Sequence, residues 1–522
     1  MPDPALPRRS LALPVAATVF LACASREPER EHPREPAEQA ASSVSPASSA
    51  APPGSLAPAP AVPPAGRAEP EVGRVYAKTR FVWIRPEPNE NGWLGFLWFG
   101  GSVPLKDKEP KNGPGCTSWY AIEPRGYVCV DGTRATLDPK DEELTRMLPY
   151  APDVASPWPH RYAESRGVYR YSEIPAAKEQ RFREWDLADH LARVEEAKRG
   201  GKPHESLLGV DLSPATSPGF SLGRLPSTIH EPRQRLTPLS TVAYSAEAAG
   251  EDRTWLLSAD LLWVPKDREV PYKKVTFAGV FLGKDAKLPL AFFRSKDRPK
   301  FKLDGARLLE TADHFARLGH VELTGNRREQ DGVTYLETRE AGIWVKKGDA
   351  VVPNPQEKTP WGAPVGGADT RDGPAGRRTW LEASVWDGWL VAYEGTRPVF
   401  ATLIAPGRGG TPRRGVAPIE TASTPVGVFP ITGKFATATM VAPGEFIHSD
   451  VPWAQNFHGP HALHGAYWHD DWGDRKSGGC VNVSPIDGKW LFEFTEPPIP
   501  EGWHGVRWRP NQEPATTFVV HD

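Results

Sequence analysis

Net charge is nearly absent from this sequence: 63 Lys and Arg stand against 65 Asp and Glu, leaving a formal −2. That removes the electrostatic case for nucleic acid or an anionic surface as partner. Long apolar runs are also missing. The best stretch, LALPVAATVFLACAS near the N-terminus, is too short to span a bilayer and is broken by Pro14. No HExxH helix is present, so that zinc-protease signature is excluded. Cysteine is scarce, with four in 522 residues. Proline (57) and tryptophan (19) are abundant, which points to linkers and to strand-rich domains with aromatic cores. A chain of this length exceeds one ordinary core, so two to four domains are expected.

The first 23 residues read as an export signal, with Arg8-Arg9 ahead of the apolar run. Its end, FLAC, resembles a bacterial lipobox with Cys23 as the acylated residue, although Phe20 stands where Leu is usual. Residues 24–72 are rich in Pro, Ala, Ser and Glu and cannot bury enough apolar surface to offset chain entropy. They predict a disordered, extended spacer. The expected location is the periplasm, with a lipid anchor at the inner face of the outer membrane and no other membrane contact.

Residues 73–150 read as short aromatic and β-branched strands between Gly, Pro and Asn turns, and on pattern they resemble an SH3-like barrel. Cys116 and Cys129 fall in this region, where an exported protein pairs such residues. Residues 151–378 read as an α+β region of unknown role. IPAAKEQRFREWDLADHLARVEEAKRG predicts a helix with Phe182, Trp185, Ala188 and Leu191 on its apolar face. Asp186 and His190, one helical turn apart, read as an exposed pair on a solvated face. Residues 379–522 show period-2 strands, a hairpin turn at Asp387-Gly388, a short helix in SPIDGKWLFEFTEP and a closing strand, TTFVVHD. The fold class expected is mainly β and multidomain.

The chemistry concentrates in HGAYWHDDWGDRKSGGCVN, residues 464–482. Three readings stand for Cys480: nucleophile, metal ligand or small buried side chain. An ordinary thiol is about 3% ionised at pH 7, so a nucleophile needs a base. His464, sixteen positions upstream, is the candidate. Ser477-Gly478-Gly479 suits a sharp turn, and the backbone amides of Gly478 and Gly479 suit an oxyanion hole. His458, His461, His464 and His469 crowd together with Asp470, Asp471 and Asp474 behind them, a set that zinc takes with a cysteine. On one strand, however, His461 and His464 point to opposite faces. His458, His461 and His469 are therefore assigned surface or supporting roles. Trp453, Trp468, Trp472 and Trp490 are assigned to core and groove wall.

The ordered elements TPVGVFPI, ALHGAYW and SGGCVNVSPIDGKWLFEFT resemble the YkuD-type L,D-transpeptidase catalytic domain, over roughly residues 379–522. The resemblance implies Cys480 as nucleophile and His464 as general base. It implies backbone donors at Gly479 and Gly478, and substrate-side or supporting roles for Ser477, Asn482 and Trp468. It implies no cofactor and no metal. The substrate class implied is peptidoglycan stem peptides, acted on by a monomer. Transfer through a Cys480 thioester would give a 3→3 crosslink or attach a protein amine to the wall. With water as acceptor the same site is an L,D-carboxypeptidase. Gly478 departs from the family pattern, which has histidine there, so a decayed, wall-binding descendant stays open as an alternative; the histidine cluster leaves open a zinc hydrolase.

Overall fold

A computed structural model describes residues 73–216, 235–367, 378–441 and 446–522; Cys23, the export segment and the spacer lie outside them. The chain is mainly β, with a few short helices. No described helix is long and apolar enough to cross a membrane.

Two sheets pack face to face in the C-terminal region. One has six strands, in the order Val280–Phe281, Arg397–Leu403, Trp389–Glu394, Thr379–Ser384, Thr517–His521 and Gly427–Pro430. The hairpin at Asp387-Gly388 forms as expected. Gly388 has φ +74°, and a Cβ there would lie 2.4 Å from the Gly473 carbonyl, so only glycine fits. The closing strand returns parallel to the first, Trp380 opposite Thr517. The other sheet has seven strands, in the order Val82–Ile84, Gly95–Leu97, Gly505–Arg507, Gly433–Val441, Ile447–His458, His461–Gly465 and Val481–Val483.

Between these sheets lie Leu381, Leu390 and Phe400 from one side and Phe457, Leu463, Val481 and Val483 from the other. The helix Pro485–Phe494 adds Leu491 and Phe494; it starts at Ser484, whose Oγ accepts from the Asp487 N–H, with Pro485 in the first turn. Alternation along a strand then has a direct consequence for chemistry. With Leu463, Val481 and Val483 facing the sandwich interior, Ala462, His464 and Asn482 face the opposite side of the sheet. Ala462 and Cys480 accordingly belong to a different apolar cluster.

That outer face is covered by a five-stranded sheet from the middle region, ordered Trp263–Pro265, Arg253–Ser258, Thr241–Gly250, Arg161–Ser165 and Glu269–Pro271. Trp255, Leu257, Trp263 and Tyr162 share one core with Phe435, Met440, Val451, Ala462 and Cys480. Tyr162 stacks on Tyr467 with centroids 3.7 Å apart, and Tyr467 shares a 2.5 Å hydrogen bond with Thr241. The remaining middle strands form a separate six-stranded sheet between Leu290 and Lys346.

Two sequence expectations change here, both on the predicted helix. The strands of 73–150 form two three-stranded sheets and a hairpin, linked by bridges at Arg85–Tyr127 and Leu105–Ile122 around one core, with no closed barrel among the described elements. Two of these strands extend the seven-stranded sheet, and Val75, Ile84 and Leu97 share a core with Trp503 and Val506. Short alternating strands fix which face is apolar but not which sheet edge they will join. The predicted helix splits into Ala177–Arg183 and Leu187–Lys198, and its apolar face is wrong. Phe182 and Trp185 are 86% and 90% exposed, whereas Leu187, His190 and Val194 are buried. His190 is not on a solvated face: its Nε2 lies 3.0 Å from Asp267, inside a buried network with Arg253 and Glu184, while Asp186 pairs with Arg268. Cys116 and Cys129 are bonded to each other.

A buried ionic node joins the three regions. Arg80 pairs with Asp450 at 2.9 Å and with Asp260, and it lies over the Trp98 ring. Asp260 also holds Arg170 at 3.2 Å. Around the node, burial pushes His160 down to about 4 and His504 to about 3, with Arg80 adding to both and Asp450 opposing. The His504 Nε2 accepts from the Thr437 N–H, which needs the neutral ring. Because both pKa values sit below the ordinary 6.5, the unfolded chain binds more protons between those limits. Stability is therefore expected in full above pH 6.5 and to fall as pH drops toward 4 and 3, with His504→Gln flattening the thermal-melt profile over that window. Asp450→Ala, which leaves the buried Arg80 and Arg170 to share Asp260 alone, should cost about 3–5 kcal/mol, read from the denaturant midpoint.

Candidate active site

The site is assembled by strand pairing. His461–Gly465 lies antiparallel to Ile447–His458 and parallel to Val481–Val483, with Leu463 opposite Val481 and His464 opposite Asn482. One step back, the Ala462 N–H reaches the Cys480 Sγ at 3.4 Å. His464 and Cys480 are thus brought to neighbouring chain segments on the same outer face, since the partner of His464 is Asn482, the next residue after Cys480 to share its face. On its other side Asn482 exchanges backbone hydrogen bonds of 2.8 and 3.0 Å with Ala405.

Before the cysteine the chain makes a tight turn. Ser477 Oγ donates to the Cys480 carbonyl at 2.5 Å and accepts from the Gly479 N–H at 3.0 Å. Gly479 has φ +125°, and a Cβ there would meet the Ser423 carbonyl at 2.6 Å and His461 Nε2 at 3.0 Å. Glycine is required on both counts. The Gly479 amide, expected as an oxyanion donor, is engaged with Ser477 in this arrangement. Ser477 itself organises the turn, because it ties the Gly479 amide to the Cys480 carbonyl.

Around His464 the rings of His448, Trp468 and His469 gather. Trp468 stacks on His448 at 4.0 Å and lies 5.8 Å from His464; Asn482 Nδ2 contacts His469 Nε2 at 3.1 Å. Burial, then the proximity of His464 and His469, pushes His448 down to about 3. Burial dominates at His469 too, holding it at about 4 against the pull of Asp471. Both are neutral at pH 7, so this wall is polar without being charged. His464 Nδ1 lies 3.3 Å from the Gly465 carbonyl, and its Nε2 is buried with no hydrogen-bond partner among the described residues. Cys480 is 0% exposed, His464 1% and Asn482 2%, so the sulfur is closed to solvent as it stands.

His461 points elsewhere. Its Nδ1 contacts the His458 carbonyl at 3.1 Å, and its ring sits against Gly479. His458 is exposed on the strand end. Among the described residues no three His, Cys, Asp or Glu side chains are gathered to hold a metal ion. Two participants escaped sequence reading. Tyr467 was available as a signal, standing three positions after His464. His448 was not, since only strand pairing brings it to Trp468.

Residues 379–509 match the family model of YkuD, the L,D-transpeptidase catalytic domain. That segment contains Cys480, His464 and the whole Ser477–Asn482 turn. Solved structures that match include an L,D-transpeptidase mutant of Enterococcus faecium, at 20% identity over 28% of this chain and 50% of that one, TM-score 0.20. An L,D-transpeptidase of Stackebrandtia nassauensis matches at 22% identity over 28% and 56%, TM-score 0.19. One from Mycobacterium smegmatis matches at 12% identity over 52% and 90%, TM-score 0.21. The chain thus spans only about half the length of the first two. No curated protein matches the sequence.

Gly479→Ala tests the turn. A side chain against the Ser423 carbonyl should displace Cys480, lower the thermal midpoint and change the rate at which a small alkylating reagent reaches the thiol.

Proposed function

We propose that the chain is a peptidoglycan L,D-transpeptidase acting through Cys480. The observation that carries this reading is the placement of Cys480 and His464 on one face of two parallel neighbouring segments, within the stretch that matches the catalytic family. His464 takes the thiol proton, and the thiolate attacks the carbonyl of the third stem residue. The carbon–nitrogen bond breaks, the departing D-Ala amine takes the proton from the imidazolium, and a thioester remains. The amine of a second stem then attacks the thioester, forming the 3→3 amide and returning the thiol. A protein amine in its place gives attachment to the wall, and water gives carboxypeptidase activity. Main-chain amides near the turn steady the oxyanion. Asn482 and Trp468, beside His464, line the substrate side.

The rest of the chain fits an exported enzyme. Cys23 is proposed as a lipid anchor, the Pro-rich spacer as the tether that holds the folded part off the outer membrane, and the monomer as the working unit in the periplasm. No cofactor is invoked: splitting the exchange through a thioester requires no ATP.

A second reading has its own support in the closed sulfur and in Gly478: a wall-binding protein that retains the fold without turnover. Incubation with a carbapenem, followed by intact-mass and peptide mapping, separates the two. The expected result is one adduct on Cys480, lost in Cys480→Ser. A folded protein with no adduct, and with no conversion of tetrapeptide muropeptides, overturns the enzymatic reading.

A further inference from the structure

The Ser477–Cys480 turn carries glycine at 478, where the resembled family has histidine, yet an imidazole reaches the turn by another route. His461 comes from the adjacent strand and places Nε2 3.0 Å from where a Gly479 Cβ would stand. It is 2% exposed. Its Nδ1 sits 3.1 Å from the His458 carbonyl, which acts only as an acceptor, so Nδ1 carries a proton and the neutral ring offers Nε2 as a bare acceptor. That Nε2 is buried and has no hydrogen-bond partner among the described residues. An acceptor left unmet in the interior is costly, which calls for a use of its position. The two residues are interlocked through their neighbours. The sulfur rests on the Ala462 amide, which is bonded to His461, while the His461 ring rests on Gly479, which is bonded to Cys480.

We propose that His461 is a positioning residue for Cys480: its imidazole braces the glycine turn and, on taking up a proton at Nε2, supplies the positive charge that favours the thiolate. The proposal rests on Cys480 being the reactive thiol. His464 keeps the outer face and the proton exchange with substrate; His461 acts on the sulfur through the Gly479-Cys480 backbone and the field across it. Burial, the largest effect, lowers the His461 pKa and opposes a proton there; Cys480 and the bond to the His458 carbonyl raise it, and the exposed His458 ring lowers it, so it is the developing thiolate that draws the proton to Nε2. Among the described residues Cys480 and His458 are the titratable neighbours that bear on the ring. The other contacts are uncharged: the Phe457 ring and the Ser423 carbonyl beside Gly479. Coupling of this kind is reciprocal, so whatever the thiolate does for the imidazole, the imidazolium does for the thiol.

The test follows the ultraviolet absorbance of the thiolate against pH in the full chain, with Cys480→Ala subtracted to remove other signals. His461→Gln should raise the Cys480 titration midpoint by about one pH unit. A packing role alone would leave that midpoint in place. Should His461→Gln fail to fold, the reciprocal measurement decides: the His461 ring-proton NMR titration in wild type against Cys480→Ala, expected to shift downward when the thiol is removed. An unchanged midpoint in either experiment overturns the proposal. Neither readout involves peptidoglycan. A shifted thiol with no carbapenem adduct therefore defeats the proposed activity alone, and an active enzyme with an unshifted thiol defeats this inference alone.

Discussion

The parallel pairing of His461–Gly465 with Val481–Val483 governs everything built around it. A strand has two faces and no freedom to choose them separately for each residue. Once Leu463, Val481 and Val483 are claimed by the sandwich interior, His464 and Asn482 are committed to the other side, and Cys480 enters the outer cluster with Ala462. A slip of one residue would bury His464 among Leu381, Phe400 and Phe518 and turn leucine outward. The hydrophobic core thereby fixes the chemistry as firmly as any hydrogen bond does. The Ser477–Gly479 turn completes the arrangement, because it delivers the sulfur to the Ala462 amide just before the strand begins.

The same outer face is also an interface between parts of the chain distant in sequence. Tyr467 lies in the motif that carries His464, yet it stacks on Tyr162 and hydrogen-bonds to Thr241 from the five-stranded sheet. The long strand Ile447–His458 makes the same connection through its backbone. There the Ser449 N–H donates to the Thr241 hydroxyl at 2.9 Å, and the Asp450 carbonyl accepts from the Tyr162 hydroxyl at 3.1 Å. The Asp450 carboxylate meanwhile holds Arg80 from the N-terminal region. Three regions therefore meet at one strand, with an ion pair buried at the junction. Breaking such a pair is costly even where forming it gains little, which makes the junction specific about how the parts sit together.

Much of the C-terminal architecture could be read from the sequence. Period-2 alternation, the Asp387-Gly388 turn, the Ser484-Pro485 helix start and the closing strand are local signals, and local signals survive without tertiary context. So is the crowding of His464, Ser477, Gly479 and Cys480. What the sequence hid was non-local. Nothing in residues 82–97 says that those strands will add to the edge of a sheet made from residues 433–507. The helical face built from Phe182 and Trp185 misled because the helix breaks between Phe182 and Leu187, and because buried ion pairs at Glu184 and His190 outweighed apolar periodicity. His448 enters the site only through pairing of strands.

Closure of the site changes what stabilises charge there. In a solvated cleft, water would carry part of the burden of an anionic sulfur and a cationic imidazole. Here Cys480 shares a cluster with Ala462, Ala438, Met440 and Tyr467, and the His448 and His469 rings gathered about His464 are neutral. Under the proposed chemistry, charge on the sulfur would be met by groups fixed in place: the Ala462 amide at the sulfur, with His464 and His461 as the proposed imidazoles. Preorganised dipoles of this kind lose nothing to reorganisation when charge develops. The cost falls instead on access. A stem peptide cannot reach an atom with no exposed surface, so any acyl transfer at Cys480 requires the cover over that face to part first. The Tyr162–Tyr467 stack and the Thr241 hydrogen bond are among the contacts that hold that cover against the face.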